Sequence, residues 1–192
     1  MRIARYLRCT SKFGVFYNID VSKGLKVCVD AYFAGSGCKD TSLDPNIVLS
    51  RTGFIIMLFG CPLCWHSKLQ TEIALSTTEA EYMAMSQALR SVIPLVNLMN
   101  EFIPALNIEH VKPILKCKVF EDNQSTIAIA RAPSMLPRTK HIGLKYHHFR
   151  QFVLNGLIDI NYVSTEEQLG DTFTKPLPPS AFTYLRHRMI GW

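Results

Sequence analysis

Asp30, Glu81, Asp122 and Asp171 are the residues of this sequence best suited to chemistry. Each falls where a predicted element begins or ends, and none is needed for the apolar pattern of that element. Hard divalent cations take oxygen ligands, and two of them about 4 Å apart can hold an attacking water and stabilise the leaving oxygen of an in-line phosphoryl displacement. Four converging carboxylates would supply such a pair of seats. Without cations the same cluster repels itself, so its carboxyl pKa values rise and its geometry loosens. Each acid also has a plainer role open to it. Asp30 can close a strand, Asp122 can N-cap the helix that follows, Asp171 can cap the C-terminal tail, and Glu81 suits the positive end of a helix. Composition alone does not bring the four together.

The elements that must position them are legible as hydrophobic periods. Residues 25–30 alternate as a short strand ending on Asp30, and a turn-rich loop follows over 35–45. Residues 53–59 and 63–66 read as two apolar strands around a Gly60-Cys61-Pro62 turn, with 72–75 continuing the sheet as an antiparallel meander. Residues 76–102 form the one long helical segment, with Tyr82, Met85, Leu89, Val92, Val96 and Met99 on one face and a kink expected at Pro94. Ser76-Thr77-Thr78-Glu79 is a capping box, Ser76 accepting from the Glu79 backbone and Glu79 reaching back to Ser76. A strand over 114–120, helices over 123–131 and 141–154, and a strand over 157–163 complete an α/β fold with a mixed sheet. The first residues, 2–8, carry a weak helical pattern before a strand-like Val15-Phe16-Tyr17.

The chain has 192 residues, 48% hydrophobic and 19% charged, with a mean hydropathy of +0.10, which excludes disorder and small disulfide scaffolds. Its net charge of +6 is unevenly spread. Residues 1–26 hold six Lys/Arg against Asp20, and residues 131–150 hold five Lys/Arg and three His with no acid. The remainder is net acidic. That pattern is a polyanion footprint around an acid-lined centre. The longest apolar stretch, 54–65, is interrupted by Gly60 and Pro62 and is too short to span a bilayer, so no membrane partner is expected. The N-terminus has no apolar block of the secretory kind, and the six cysteines sit mostly inside apolar runs, which favours buried thiols in a reducing, intracellular setting. Cys61-x-x-Cys64 with His66 lacks the second ligand pair a structural zinc site needs.

Several local words, in order, resemble one family. They are Cys28-Val29-Asp30-Ala31-Tyr32, Arg51-Thr52-Gly53-Phe54, Ser76-Thr77-Thr78-Glu79-Ala80-Glu81-Tyr82-Met83-Ala84, Glu121-Asp122-Asn123-Gln124-Ser125, Arg138-Thr139-Lys140-His141 and Gln168-Leu169-Gly170-Asp171-Thr172-Phe173-Thr174-Lys175-Pro176. Together they resemble the RNase H region of copia-type long-terminal-repeat retrotransposon polyproteins. The resemblance implies an RNase H-like fold with a mixed five-stranded sheet, its first three strands antiparallel, flanked by helices. It implies residues 1–22 as the end of the reverse-transcriptase connection segment, 23–176 as the RNase H-like domain and 177–192 as a C-terminal helical tail.

The resemblance also implies an activity, hydrolysis of the RNA strand of RNA–DNA hybrids by two Mg²⁺ or Mn²⁺ ions. Asp30, Glu81, Asp122 and Asp171 are the implied catalytic and metal-binding set. Glu79 is already accounted for by the capping box, whereas Glu81 precedes Tyr82-x-Ala84 as the family's metal-binding Glu precedes its apolar-x-Ala pattern, so the resemblance points to Glu81. Two departures stand out: Tyr32 replaces a second acid common in the first motif, and residues 163–170 lack the His-bearing loop of cellular RNases H.

The tract 131–150, with Arg138, Lys140, His141, Lys145, His147 and His148, is the expected phosphate-contacting surface, while Ile142, Tyr146 and Phe149 face the core. Asn123 and Gln124 join the nucleic-acid set through the motif they sit in. Expected partners are an RNA–DNA hybrid and the upstream reverse-transcriptase module of a parent polyprotein, in the cytoplasm, within a retroelement particle, or in the nucleus. The competing expectation is a catalytically inactive remnant that folds and at most binds nucleic acid.

Overall fold

A computed structural model describes residues 2–34, 48–105, 115–134, 142 and 144–192. Its centre is a five-stranded sheet in the order β3-β2-β1-β4-β5, built from β1 (Leu25–Tyr32), β2 (Arg51–Leu58), β3 (Cys61–Leu69), β4 (Cys117–Glu121) and β5 (Ile158–Tyr162). β1, β2 and β3 pair antiparallel, whereas β4 runs parallel to both β1 and β5. This is the mixed sheet expected from the sequence.

The β2–β3 turn is Phe59-Gly60, with φ of 53° and 84°, which are the two positive values of a two-residue type I′ hairpin. The expected Gly60-Cys61-Pro62 turn is therefore displaced by one residue, and Cys61 and Pro62 belong to β3. Pro62 is tolerated because β3 is an edge strand, and the register slips beside it, Met57 opposing Pro62 and Ile56 opposing Cys64.

The two faces of the sheet are covered separately. Val27, Val29, Phe54, Ile56, Val119 and Ile160 bury one face against α2 (Thr77–Ala105) and the chain after it. Cys28, Ile55 and Met57 bury the other against Leu169, Leu185 and Met189. Two-residue alternation along β1 thus sends Val27, Val29 and Ala31 to the α2 side and Cys28 and Asp30 to the opposite side. α2 opens as expected: Ser76 Oγ accepts from Glu79 N at 3.1 Å, and the Glu79 carboxylate reaches back over the start of the helix to accept from Leu75 N at 2.7 Å. The helix runs on through Pro94 and Pro104.

After β4 come α3 (Gln124–Arg131), N-capped by Asn123, then α4 (Arg150–Leu154), α5 (Asp171–Thr174) and α6 (Pro179–Ile190). The chain begins with α1 (Arg2–Thr10), as its apolar spacing suggested.

Three expected elements take other forms. Residues 72–75 form no strand, because Glu72 turns away to accept from Lys145 Nζ and Tyr146 Oη. Residues 15–17 are not a strand either. Phe13 stacks on Trp192 with ring centroids 4.7 Å apart, and Phe16 N donates to Ile190 O, so these aromatics are fastened to the end of α6. In place of one helix over 141–154, the described residues form a single 3₁₀ turn (Leu144–Tyr146) and the short α4, which still bury Ile142, Tyr146 and Phe149. Of the described cysteines all five are free; Cys28, Cys61 and Cys117 are buried, while Cys9 and Cys64 are exposed. Cys38 lies outside the described residues. No helix among them is long and apolar enough to cross a membrane.

Candidate metal centre

The site forms where β1 and β4 part. Their ladder ends at Cys28 opposite Phe120, although β1 continues to Tyr32 and β4 to Glu121. Into that gap goes the fully buried side chain of Gln168, whose amide Nε2 donates to Val29 O at 2.8 Å and Phe120 O at 3.3 Å. Its Oε1 accepts from Gly170 N at 3.1 Å, so one side chain sets the width of the gap and the path of the chain into α5. Asp171, the first residue of α5, is thereby brought against Asp30. Gly170 packs so closely that a Cβ on it would lie 2.8 Å from both Asp30 Cβ and Asp30 N. Thr174, one turn on, donates its hydroxyl to Asp30 Oδ2, and Lys175 Nζ lies 2.9 Å from Asp171 Oδ1.

The other acids come from α2 and from the end of β4. Glu81 sits in the second turn of α2, and Asp122 immediately follows β4, where its Oδ2 accepts from Thr165 Oγ1 at 2.8 Å. All four residues expected from the sequence are brought together. Their ligand oxygens form two overlapping groups, Asp30 with Asp122 and Asp171, and Glu81 with Glu121 and Asp122. Within each group the three oxygens lie within 4.8 Å of one another. Asp122 belongs to both.

Glu121 was not expected. Its signal was in the alternation Cys117, Val119, Glu121, which places it on the buried face of β4; it has no exposed surface. Thr174 and Lys175 were visible in the last motif, but not as partners of the acids.

Burial dominates the electrostatics. Desolvation raises the carboxyl pKa values of Asp30, Glu81, Glu121 and Asp171, that of Asp171 to about 7, and the neighbouring carboxylates add to the rise. For Lys175 partial burial pulls the other way, but the hydrogen bond and charge of Asp171, with Asp30 and Asp122 behind it, prevail and raise its pKa. Oε2 of Glu81 and Oε2 of Glu121 are buried without a hydrogen-bond partner. Oxygen-only donors, two of them unsatisfied at depth, fit hard divalent cations.

A pH dependence follows. A carboxyl whose folded pKa exceeds its unfolded value favours folding at low pH, and that contribution fades as pH rises from the unfolded value of 3.8 towards the folded one near 7. The imidazoles of His66, His147 and His148, pulled low by partial burial, act in the opposite sense. In EDTA the Tm of Asp171→Asn should therefore gain on the wild type between pH 5 and pH 8. A Tm difference that is flat over this range contradicts the buried, raised carboxyl.

The expected nucleic-acid residues are placed as follows. Arg138, Lys140 and His141 lie outside the described residues. Lys145 is ion-paired with Glu72 and lies over the Tyr146 ring. His148 Nδ1 lies 3.4 Å from Ser86 Oγ, and His147 Nδ1 lies 2.8 Å from Tyr82 Oη, which ties this stretch to α2 beside Glu81. Asn123 uses its carbonyl oxygen to cap α3, accepting from Ser125 N and Thr126 N, and Gln124 begins that helix.

The strand order, helix placement and acid cluster define an RNase H-like domain. Among solved structures, an RNase H1 isolated from compost, LC11-RNase H1, superposes with a TM-score of 0.54 over 79% of this chain and 92% of that one, at 14% identity. No protein-family model matches the chain.

In sequence, the chain is 33% identical over 181 residues, 94% of its length, to the retrovirus-related Pol polyproteins from transposons RE2 and RE1 of Arabidopsis thaliana. It is 34% identical over 133 residues to that from transposon TNT 1-94 of Nicotiana tabacum. It spans only 11%, 11% and 9% of these relatives. The chain belongs with the Pol polyproteins of copia-type retrotransposons, as an RNase H region.

Proposed function

We propose that this region hydrolyses the RNA strand of RNA–DNA hybrids with two divalent ions, Mg²⁺ in the cell, as part of reverse transcription inside a retroelement polyprotein. The observation that carries the reading is the convergence of Asp30, Glu81, Asp122 and Asp171 into oxygen groups that share Asp122. Bound there, two divalent ions supply the positive charge that activates a water and steadies the leaving oxygen of a scissile phosphate.

The chain's own residues prepare that site. Gln168 fixes the spacing of the Asp30 and Asp122 strands, Thr174 and Thr165 orient the carboxylates of Asp30 and Asp122, and Lys175 offsets charge on Asp171. The basic stretches at 1–26 and 131–150 are the proposed contacts for the phosphates of the hybrid, and such contacts are nearly blind to sequence and weaken steeply with salt.

The test is an end-labelled RNA–DNA hybrid incubated with purified protein. Cleavage of the RNA strand is expected in Mg²⁺ or Mn²⁺ and none in EDTA, with the DNA strand left intact. Hybrid binding without cleavage in either ion would overturn the enzymatic reading and leave a nucleic-acid-binding remnant.

A further inference from the structure

Glu121 stands outside the four acids that the sequence pattern marks, yet it is the most deeply buried carboxylate of the cluster. It has no exposed surface, and Glu81 is only 7% exposed. Glu121 Oε1 accepts from Asn123 N at 3.2 Å, which fixes the carboxylate at the end of β4. Its Oε2 has no partner, and neither has Oε2 of Glu81, although one oxygen of each lies within 4.8 Å of the other and of an Asp122 oxygen.

A buried carboxylate oxygen left without a donor is strongly disfavoured unless it is protonated or meets a cation. A spacing below 4.8 Å among three carboxylate oxygens is what one hard cation draws together, since each metal–oxygen bond is about 2.0–2.6 Å.

We propose that Glu121 is a fifth metal-holding carboxylate, so that one divalent cation sits in an inner seat made by Glu81, Glu121 and Asp122, and the second in an outer seat made by Asp30, Asp122 and Asp171. The proposal rests on the two-ion reading above and changes which residues hold the inner ion. Asp122 is the shared wall of the two seats. Glu121 belongs to the seat and not to the packing of β4.

The experiment counts ions directly. Mn²⁺ is titrated into the wild type, Glu121→Gln and Asp30→Asn, with the free ion followed by its EPR signal. Two bound Mn²⁺ are expected for the wild type and one for each variant, the Glu121→Gln protein having lost the inner ion. Gln keeps the shape of Glu and can still accept from Asn123 N, so the Tm of this variant in EDTA is expected to match or exceed that of the wild type.

A second readout needs no substitution. With ¹³C-labelled glutamate in the wild type, Mg²⁺ should shift the side-chain carboxyl resonances of Glu81 and Glu121 together. Two Mn²⁺ bound by Glu121→Gln, or a Glu121 resonance unmoved by saturating Mg²⁺, overturns the proposal and leaves the two-ion reading standing. A wild type that binds no Mn²⁺ overturns both.

Discussion

Asp122→Asn is expected to lower hydrolysis of an RNA–DNA hybrid by roughly 10²–10³-fold or more, the scale on which removing one fixed electrostatic contact from a reaction centre is felt. The loss should lie at the upper end of that range or beyond it, because Asp122 supplies an oxygen to both carboxylate groups, whereas Asp30, Asp171 and Glu81 each supply one group. The substitution is nearly isosteric, and α3 keeps its cap because that role belongs to Asn123.

Asp122 also pushes up the pKa values of Asp30, Glu81, Glu121 and Asp171, so removing its charge relieves repulsion in the metal-free protein. The expected pair of results is therefore a collapse of cleavage with an EDTA Tm equal to or above that of the wild type. Cleavage within tenfold of the wild type would remove Asp122 from the reaction centre. A fall in Tm would instead trace the loss to folding.

Gly170→Ala should damage the protein by a different route. Gly170 has φ −57°, a value open to any residue, so conformational freedom is not what the position requires. What it requires is space. An added Cβ would lie 2.8 Å from Asp30 Cβ and from Asp30 N, and 3.0 Å from the Val29 carbonyl carbon, all atoms of a central strand that cannot swing aside. Overpacking of this kind costs about 1–3 kcal/mol and sometimes more, which in a chain of this size lowers Tm by roughly 2–12 °C.

Whichever side yields, Asp171 and Asp30 move apart, so a cleavage loss and a weaker Mn²⁺ affinity should accompany the lower Tm. A Gly170→Ala protein with unchanged Tm and full activity would show that the loop before α5 can back away from β1 at no cost. Gly53 marks the same close approach from β2, since a Cβ there would meet Thr174 Cγ2 at 2.5 Å.

Much of this architecture could be read from local patterns. The alternation of β1, the start of α2 at Ser76 and the helix after Asn123 follow from short-range chemistry, and the order of the motifs brought the four acids into one expectation. Readings went astray where a residue's partner lay far along the chain. Glu72 looks like part of a strand until Lys145 and Tyr146 are known to take its carboxylate, and Val15-Phe16-Tyr17 looks like a strand until Trp192 and Ile190 are known to receive that segment. Ile142, Tyr146 and Phe149 have helical spacing, but their burial is achieved with only a short 3₁₀ turn and α4.

Glu121 was overlooked for another reason. The motif centres on Asp122, and it is the two-residue period of β4, extended past Phe120, that points Glu121 inward with Cys117 and Val119.

The rung that Gln168 supplies between β1 and β4 also fixes a time order. Its partner Val29 lies 139 residues earlier, and Thr174 reaches back 144 residues to Asp30, so on the ribosome both strands and both glutamates are made long before the residues that gauge the gap between them. Until residues 168–174 have left the exit tunnel, the nascent chain carries its acids without the spacing that makes them a site. Assembly of the acid cluster thus waits for residues near the end of this chain, and its geometry depends on loop closures of 139 and 144 residues.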